Sequence, residues 1–271
     1  KYLKKWKSGE TPGPYILDIN PTDSCNLQCI SCWQRNKKFE GKLNSSIYEL
    51  SDERILELID EAHELKVKQI EITGGGEPLM RKSLQLLIEK IKKYDIYGSL
   101  TSNGTLFTEK LVKKMVSLGW DKIVFSVDGG TSEIQNKLRG RNNTFERNKK
   151  TLLLFKKFKK ELNKKKPIIH FNSVISTINY KHLNKIIEFA AKTGIEAVNF
   201  ETLTIHSKTG ESIKLSKLQQ DEFKKSIKKI QQLASKLKIK TNIEKYDDLS
   251  LMENSNNMNK IIKINRTNDF S

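Results

Sequence analysis

Tyr15-Ile16-Leu17-Asp18-Ile19-Asn20-Pro21-Thr22-Asp23-Ser24-Cys25-Asn26-Leu27-Gln28-Cys29-Ile30-Ser31-Cys32-Trp33 joins a short apolar run to a loop that presents three thiols at spacings of four and three. The chain of 271 residues has no other cysteine. An odd, tightly clustered set without a secretory signal argues against a disulfide framework and for metal or redox chemistry. Three thiolates from one loop can fill three corners of an iron–sulfur cubane, which leaves the fourth iron open to a small molecule. A zinc knuckle is the alternative. Structural zinc, however, is closed by four protein ligands, and His63, His170, His182 and His206 all lie far from this loop in sequence.

Outward from the loop, short β-branched runs alternate with segments of helical period from about residue 15 to residue 240. Strands are expected over 15–20, 68–73, 98–102, 122–127, 168–175 and 197–203, and helices near 52–65, 82–93, 109–118, 132–158, 180–193 and 217–237. Ser51, Thr108, Asn179 and the pair Ser216 with Gln219 stand where N-caps belong, and Gly119 and Gly194 where helices should end. Regular βα alternation implies parallel strands with right-handed crossovers, in an open doubly wound sheet or a barrel. Ligands sit at the carboxyl ends of the strands in both architectures, so the residues just after each strand carry the functional information.

After the second strand comes Glu71-Ile72-Thr73-Gly74-Gly75-Gly76-Glu77-Pro78-Leu79. Its glycines let the backbone turn sharply and come close to a ligand, Glu77 offers a carboxylate to a cationic group, and Pro78 suits the first position of a helix. Thr101-Ser102-Asn103-Gly104 follows the third strand, Phe125-Ser126-Val127-Asp128-Gly129 closes the fourth, and Lys137-Leu138-Arg139-Gly140-Arg141 comes next. The fifth strand carries Val174. Taken singly these are ordinary turn sequences. Their recurrence at successive strand ends sets them apart.

Cys25-x-x-x-Cys29-x-x-Cys32 directly after a first strand, followed by the Gly-Gly-Glu turn, resembles the radical S-adenosylmethionine (radical SAM) superfamily over about residues 15–240. The resemblance implies an α/β fold, a partial (β/α)6 TIM-like barrel of parallel strands open at the side, over residues 15–243 after an N-terminal extension at 1–14. It implies a 4Fe-4S cluster held by Cys25, Cys29 and Cys32. S-adenosylmethionine would be bound by Gly75, Gly76 and Glu77 at its amino group, and by Ser102, Asn103, Ser126 and Asp128 at its ribose and carboxylate. Arg139 would also pair with that carboxylate, and Val174 would line the adenine. The implied activity is reductive cleavage of S-adenosylmethionine to a 5′-deoxyadenosyl radical, of the iron–sulfur oxidoreductase or maturase type, with a flavodoxin or ferredoxin as electron donor. No side chain is singled out as the catalytic residue toward substrate. Members often place an aromatic residue before the third cysteine; this chain has Ser31 there, and Trp33 after it. Cys29-Ile30-Ser31-Cys32-Trp33 and the Ser-Val-Asp-Gly segment look most like the branch of peptide- and cofactor-modifying members, SPASM-type or molybdenum-cofactor-biosynthesis-like. The implied substrate is a peptide or a cofactor or natural-product precursor. A small-molecule or nucleotide rearrangement is the runner-up.

The formal net charge is +18, yet 43 of the 50 basic residues are Lys and 7 are Arg. That skew speaks against nucleic acid, because Arg is the residue suited to bidentate phosphate and base recognition. A metal-containing nucleic-acid-binding module would explain the charge but would leave Gly74, Glu77, Ser126 and Arg139 without a shared purpose. In the densest block, residues 149–166, Leu154, Phe155, Phe158 and Leu162 recur at helical spacing. This reads as a surface helix with Lys156, Lys157, Lys159 and Lys160 on its solvated face. No run approaches the roughly 18 apolar residues of a membrane span, and the basic start is not followed by an apolar h-region. A soluble, cytoplasmic protein with no membrane partner is expected. Residues 244–271 read as a polar linker to a missing C-terminal region, with 254–271 poorly ordered and the chain a fragment of a longer protein.

Overall fold

The computed structural model describes residues 4, 7–9, 13–35 and 49–248. The expectation for residues 254–271 lies outside them. Two compact units divide the chain, one taking Lys1–Asn26, Lys42–Ser126 and Arg147–Ile169, the other Leu27–Gly41, Val127–Glu146 and His170–Ser271.

The first unit is built on four parallel strands paired in chain order: β1 (Ile16–Ile19), β2 (Gln69–Ile72), β3 (Tyr97–Ser102) and β4 (Lys122–Ser126). Their register aligns Ile19, Ile72, Leu100 and Ile123 in one buried row. Alternation along each strand puts such a row on a single face, and each side chain so buried contributes about 1.5–3 kcal/mol. Helices α1 (Asp52–Glu64), α2 (Leu84–Lys93) and α3 (Glu109–Leu118) bury Ile55 and Ile59, Leu87, Ile88 and Ile91, and Val112, Met115 and Val116. Their ends follow the expected chemistry. Ser51 and Thr108 accept from the N–H groups of Arg54 and Leu111, and Gly119 closes α3 in the left-handed region at φ 67°. Where β4 begins, the buried Asp121 accepts from Lys166 Nζ (2.5 Å), Lys92 Nζ (2.7 Å) and Gly98 N (2.9 Å).

The second unit contains α4 (Ser132–Arg139). Helix α5 (Thr144–Glu161) begins in this unit and runs into the first, while β5 (Ile168–Val174) does the reverse. Then come α6 (Leu183–Thr193), β6 (Ala197–Glu201), α7 (Lys208–Glu211), α8 (Lys217–Lys236) and β7 (Lys240–Thr241). Strands β5, β6 and β7 pair in parallel in that order. Phe171, Phe200, Phe223 and Tyr246 are fully buried. The Ser216–Gln219 capping box at the start of α8 is present, and Gly194 ends α6 at φ 77°.

Four expectations need correction. The helix expected over 132–158 is two helices, because Gly140 turns left-handed at φ 66° and stops α4. The segment near 180–193 opens with a 3-10 turn, Tyr180–His182, before the α-helix. A seventh strand, β7, was not expected; its two residues are too few to show a period. Asn179 does not cap through its side chain. Instead its Oδ1 accepts from Ser176 N, and its Nδ2 donates to the carbonyls of Asp128 and Val174. Among the described residues, no helix is long and apolar enough to cross a membrane.

Candidate active site

In the first unit the start of the cysteine loop is fastened to the glycine turn. Gly76 N donates to Thr22 O (2.9 Å) and Glu77 N to Ser24 O (2.8 Å). A Cβ on Gly76 would collide with the backbone of Asp23 and Ser24. Glycine is required at this position to let the cysteine loop, rather than a ligand, come close. Glu77 caps the 3-10 turn Pro78–Met80 and is only 2% exposed. Its carboxylate accepts from Ser102 Oγ (2.6 Å), Asn103 N (2.7 Å) and Leu79 N (3.2 Å). Hydrogen bonds of this kind favour the ionised form of a carboxylate. Asn103 Nδ2 donates to Asn26 Oδ1, and Asn26 Nδ2 to Thr105 Oγ1, both at 2.9 Å, which ties the end of β3 to the residue after Cys25. Glu77, Ser102 and Asn103 are thus brought together, with Gly76 next to Glu77 in the chain. Gly75 and Ser126 are half-buried at the ends of their own segments.

The sequence reading missed Arg81. Its Nη1 donates to Pro21 O (2.6 Å), its Nη2 to Leu50 O (2.7 Å) and its Nε to Asp52 Oδ1 (2.7 Å), which anchors the chain just ahead of the thiols. A signal was available, since an arginine that stands out in a lysine-rich chain marks a place needing a planar fork of donors.

In the second unit the rest of the loop lies along the end of α4. Gln28 N donates to Arg139 O (3.1 Å) and Ile30 N to Leu138 O (3.0 Å), so the loop satisfies carbonyls that a helix end leaves open. Gly140 meets Gln28 so closely that a Cβ would strike its carbonyl. Arg139 is therefore the last residue of a seated helix. Its Nη2 pairs with Asp128 Oδ2 at 2.7 Å, and its Nη1 lies 3.7 Å from Cys29 Sγ. Asp128 is itself fixed at several points. Its Oδ1 accepts from Val174 N (2.8 Å), and its own N–H and that of Gly129 donate to Gln135 Oε1 (2.8 and 2.9 Å). Asn179 holds its carbonyl (2.8 Å). Burial pushes the Asp128 carboxyl above the ordinary carboxylate range, while the Arg139 guanidinium and the Val174 N–H pull the other way. Asp128 was expected at the ribose and carboxylate end of S-adenosylmethionine; here its carboxylate is engaged by Arg139 and Val174. Val174 packs with Ile30, Ile178 and Ile205 against the cluster of Ile134, Leu138, Leu203 and Ile213. Gln135, fully buried, was not singled out, and Asn179, also fully buried, was read only as a helix cap. Gln135 reaches back seven and six residues to Asp128 N and Gly129 N, and Asn179 reaches back 51 residues to Asp128 O, bonds that no periodic pattern reveals.

The thiols fit an iron–sulfur ligand set by their chemistry. Cys25, Cys29 and Cys32 lie within eight residues of chain, none is in a disulfide, and each is half-buried rather than sealed in the core. Among the described residues, no three His, Cys, Asp or Glu side chains are gathered as a single ion would need. In a cluster each thiolate binds its own iron, so the ligands need not converge on one atom.

A family model described as the radical SAM superfamily matches residues 19–190. The chain belongs to the radical SAM superfamily. Among curated radical SAM proteins it is 27% identical over 189 residues to the tungsten-containing aldehyde ferredoxin oxidoreductase cofactor-modifying protein of Pyrococcus furiosus, covering 67% of this chain and 49% of that one. It is likewise 27% identical over 178 residues to a probable GTP 3′,8-cyclase of Thermococcus kodakarensis, covering 66% and 53%. The chain thus spans about half the length of these curated relatives. The crystal structure of Streptococcus suis SuiB bound to S-adenosylmethionine matches with a TM-score of 0.68 at 17% identity, over 88% of this chain and 52% of that one. SuiB has also been solved bound to its precursor peptide SuiA. These matches establish the parallel α/β fold class of the partial-barrel type.

Proposed function

We propose that this chain binds a 4Fe-4S cluster through Cys25, Cys29 and Cys32 and cleaves S-adenosylmethionine reductively, over a core of residues 15–243. The observation that carries this reading is the three-thiol loop, fastened at Thr22 and Ser24 to the Gly76–Glu77 turn and at Gln28 and Ile30 to the end of α4. When bound, the cluster supplies one electron to the sulfonium of S-adenosylmethionine, releasing methionine and a 5′-deoxyadenosyl radical that takes a hydrogen atom from the substrate. The protein's part is to orient the reactants and exclude competing reactions.

Glu77, whose carboxylate is held by Ser102, Asn103 N and Leu79 N, engages the amino group of the methionine moiety. Gly75 and Gly76 bring the turn's backbone alongside it. Ser102, Asn103, Ser126 and Asp128 serve the ribose and carboxylate. Arg139 pairs with the methionine carboxylate, and Val174 lines the adenine. The electron donor is a flavodoxin- or ferredoxin-type protein. The substrate is a peptide or a cofactor precursor, a reading supported by the cofactor-modifying relative and the peptide-bound SuiB structure.

Reconstitution with iron and sulfide under exclusion of oxygen, followed by chemical reduction in the presence of S-adenosylmethionine, should yield 5′-deoxyadenosine and methionine. Alanine at any of Cys25, Cys29 or Cys32 should abolish the cluster. Glu77→Gln should keep the cluster but weaken S-adenosylmethionine binding by about 1.5–3 kcal/mol. Protein that holds zinc in place of iron, or that holds the cluster and forms no 5′-deoxyadenosine, would overturn the assignment.

A further inference from the structure

Two features of the Asp128–Arg139 pair are not needed to bind S-adenosylmethionine. One is the number of restraints on Asp128. Every polar atom of this residue is engaged: Oδ1 by Val174 N, Oδ2 by Arg139, the N–H by Gln135 and the carbonyl by Asn179. Gln135 and Asn179, which supply two of these bonds, are themselves fully buried. The other is the direction in which the guanidinium is held. One terminal nitrogen is on the carboxylate at 2.7 Å and the other is 3.7 Å from Cys29 Sγ, while the backbone carbonyl of Arg139 receives the N–H of Gln28, the residue before that cysteine. Side chain and main chain of one residue therefore grip the same ligand position from two sides.

We infer that Asp128 is a positioning residue that holds the Arg139 guanidinium against the Cys29 sulfur, and that this contact raises the reduction potential of the bound cluster. The inference rests on the cluster reading given above. Potentials of iron–sulfur clusters follow net charge and the hydrogen bonds made to their sulfurs, and groups that orient or polarise a ligand tune the metal behind it. A cation beside a ligand sulfur favours the reduced cluster, which carries one more negative charge. Losing that cation makes reduction harder. Asp128 works against this through its own charge and for it through geometry, so the sign of its effect reports which role prevails. A planar fork can touch carboxylate and sulfur at once, whereas an ammonium has to choose.

The test is a reductive titration of the reconstituted protein without S-adenosylmethionine, so that binding of the methionine carboxylate does not contribute. Iron and sulfide content is checked first in every sample. Arg139→Gln should shift the midpoint potential to a more negative value with cluster content unchanged, and Arg139→Lys should recover only part of that shift. Asp128→Asn should move the potential in the same negative direction, because the guanidinium is no longer held. A more positive potential in Asp128→Asn would make Asp128 a counter-charge and overturn the inference, as would unchanged potentials in cluster-loaded variants. If Arg139→Gln does not fold, Arg139→Lys and Asp128→Asn still give the two signs required. Wild-type protein that assembles no cluster would overturn the cluster reading, and this inference with it.

Discussion

Asp121 and Asp128 stand at the two ends of β4, one just before Lys122 and the other two residues after Ser126, and each is only 3% exposed. Their surroundings differ in kind. Burial pushes the Asp121 carboxyl up, but hydrogen bonds from Lys166 and Lys92 and from Gly98 N more than reverse this and hold it below the ordinary carboxylate range. At Asp128 burial prevails over the single guanidinium and one N–H. The first site surrounds a charge with more cation than it needs, one lysine being half exposed, and so stabilises the fold where the strand begins. The second keeps a tight pair with a cation directed onward to a thiol. In parallel α/β folds the amino ends of strands build stability and the carboxyl ends carry chemistry. The two aspartates show that division within one strand.

The contrast breaks most visibly if the pair at the carboxyl end is cut. Arg139→Met leaves Asp128 buried without its cation and should lower the free energy of unfolding by about 3–5 kcal/mol in a urea titration at neutral pH. A loss under about 1 kcal/mol would mean that Asp128 is not a buried charge. At the other end, Asp121→Asn strands the Lys92 ammonium but leaves Lys166 able to turn to water. Its cost by the same measurement should be smaller, about 2–3 kcal/mol.

Titration sharpens the contrast by sign. Because the folded value of Asp121 is lowered, its stabilisation is complete above the unfolded aspartate pKa of about 3.9 and is lost as pH falls through the folded value. Asp128, whose folded value is raised, contributes stability below about pH 3.9 that is lost as pH rises through the folded value. Each carries at most about 1.4 kcal/mol per pH unit of slope. Urea midpoints measured from acid to neutral pH should therefore lose part of the acid limb in Asp121→Asn and lose a decline that begins above that limb in Asp128→Asn. Matching profiles would contradict the assigned causes.

The smallest effect belongs to the lysines along α5. Replacing Lys156, Lys157, Lys159 and Lys160 together with Gln should change stability by less than about 1 kcal/mol and leave cleavage of S-adenosylmethionine unchanged. Their main side-chain ties are Lys157 to Glu109 across an exposed 3.1 Å pair and Lys159 to the carbonyl of Pro167. Calorimetry and a 5′-deoxyadenosine assay would check both parts.

Strand positions were legible because β-branched runs follow one another at regular spacing, and caps such as Ser51, Thr108 and Ser216 were legible because their bonds are local. The break at Gly140 was not read, because α4 and α5 were joined into one helical stretch although Gly140 closes α4 in the left-handed region as Gly119 closes α3. Cys25, Cys29, Cys32 and Glu77 stood out in the sequence through spacing. Arg139 was reached by resemblance alone. Asn179 was read only as a cap because its bond to the Asp128 carbonyl reaches back 51 residues, and Gln135, which accepts from Asp128 N and Gly129 N, looks in sequence like any other polar side chain.

The seating of Gln28 and Ile30 on α4 also has a consequence for how the protein is made. Arg139 lies 110 residues beyond Cys29. At ribosomal rates of roughly 5–20 residues per second, the nascent chain grows for on the order of 10 s before the partner of the loop's second half has even been synthesised. During that interval Cys29 and Cys32 are thiols on a growing polypeptide without their helix. Iron delivered before α4 emerges would meet an unformed site.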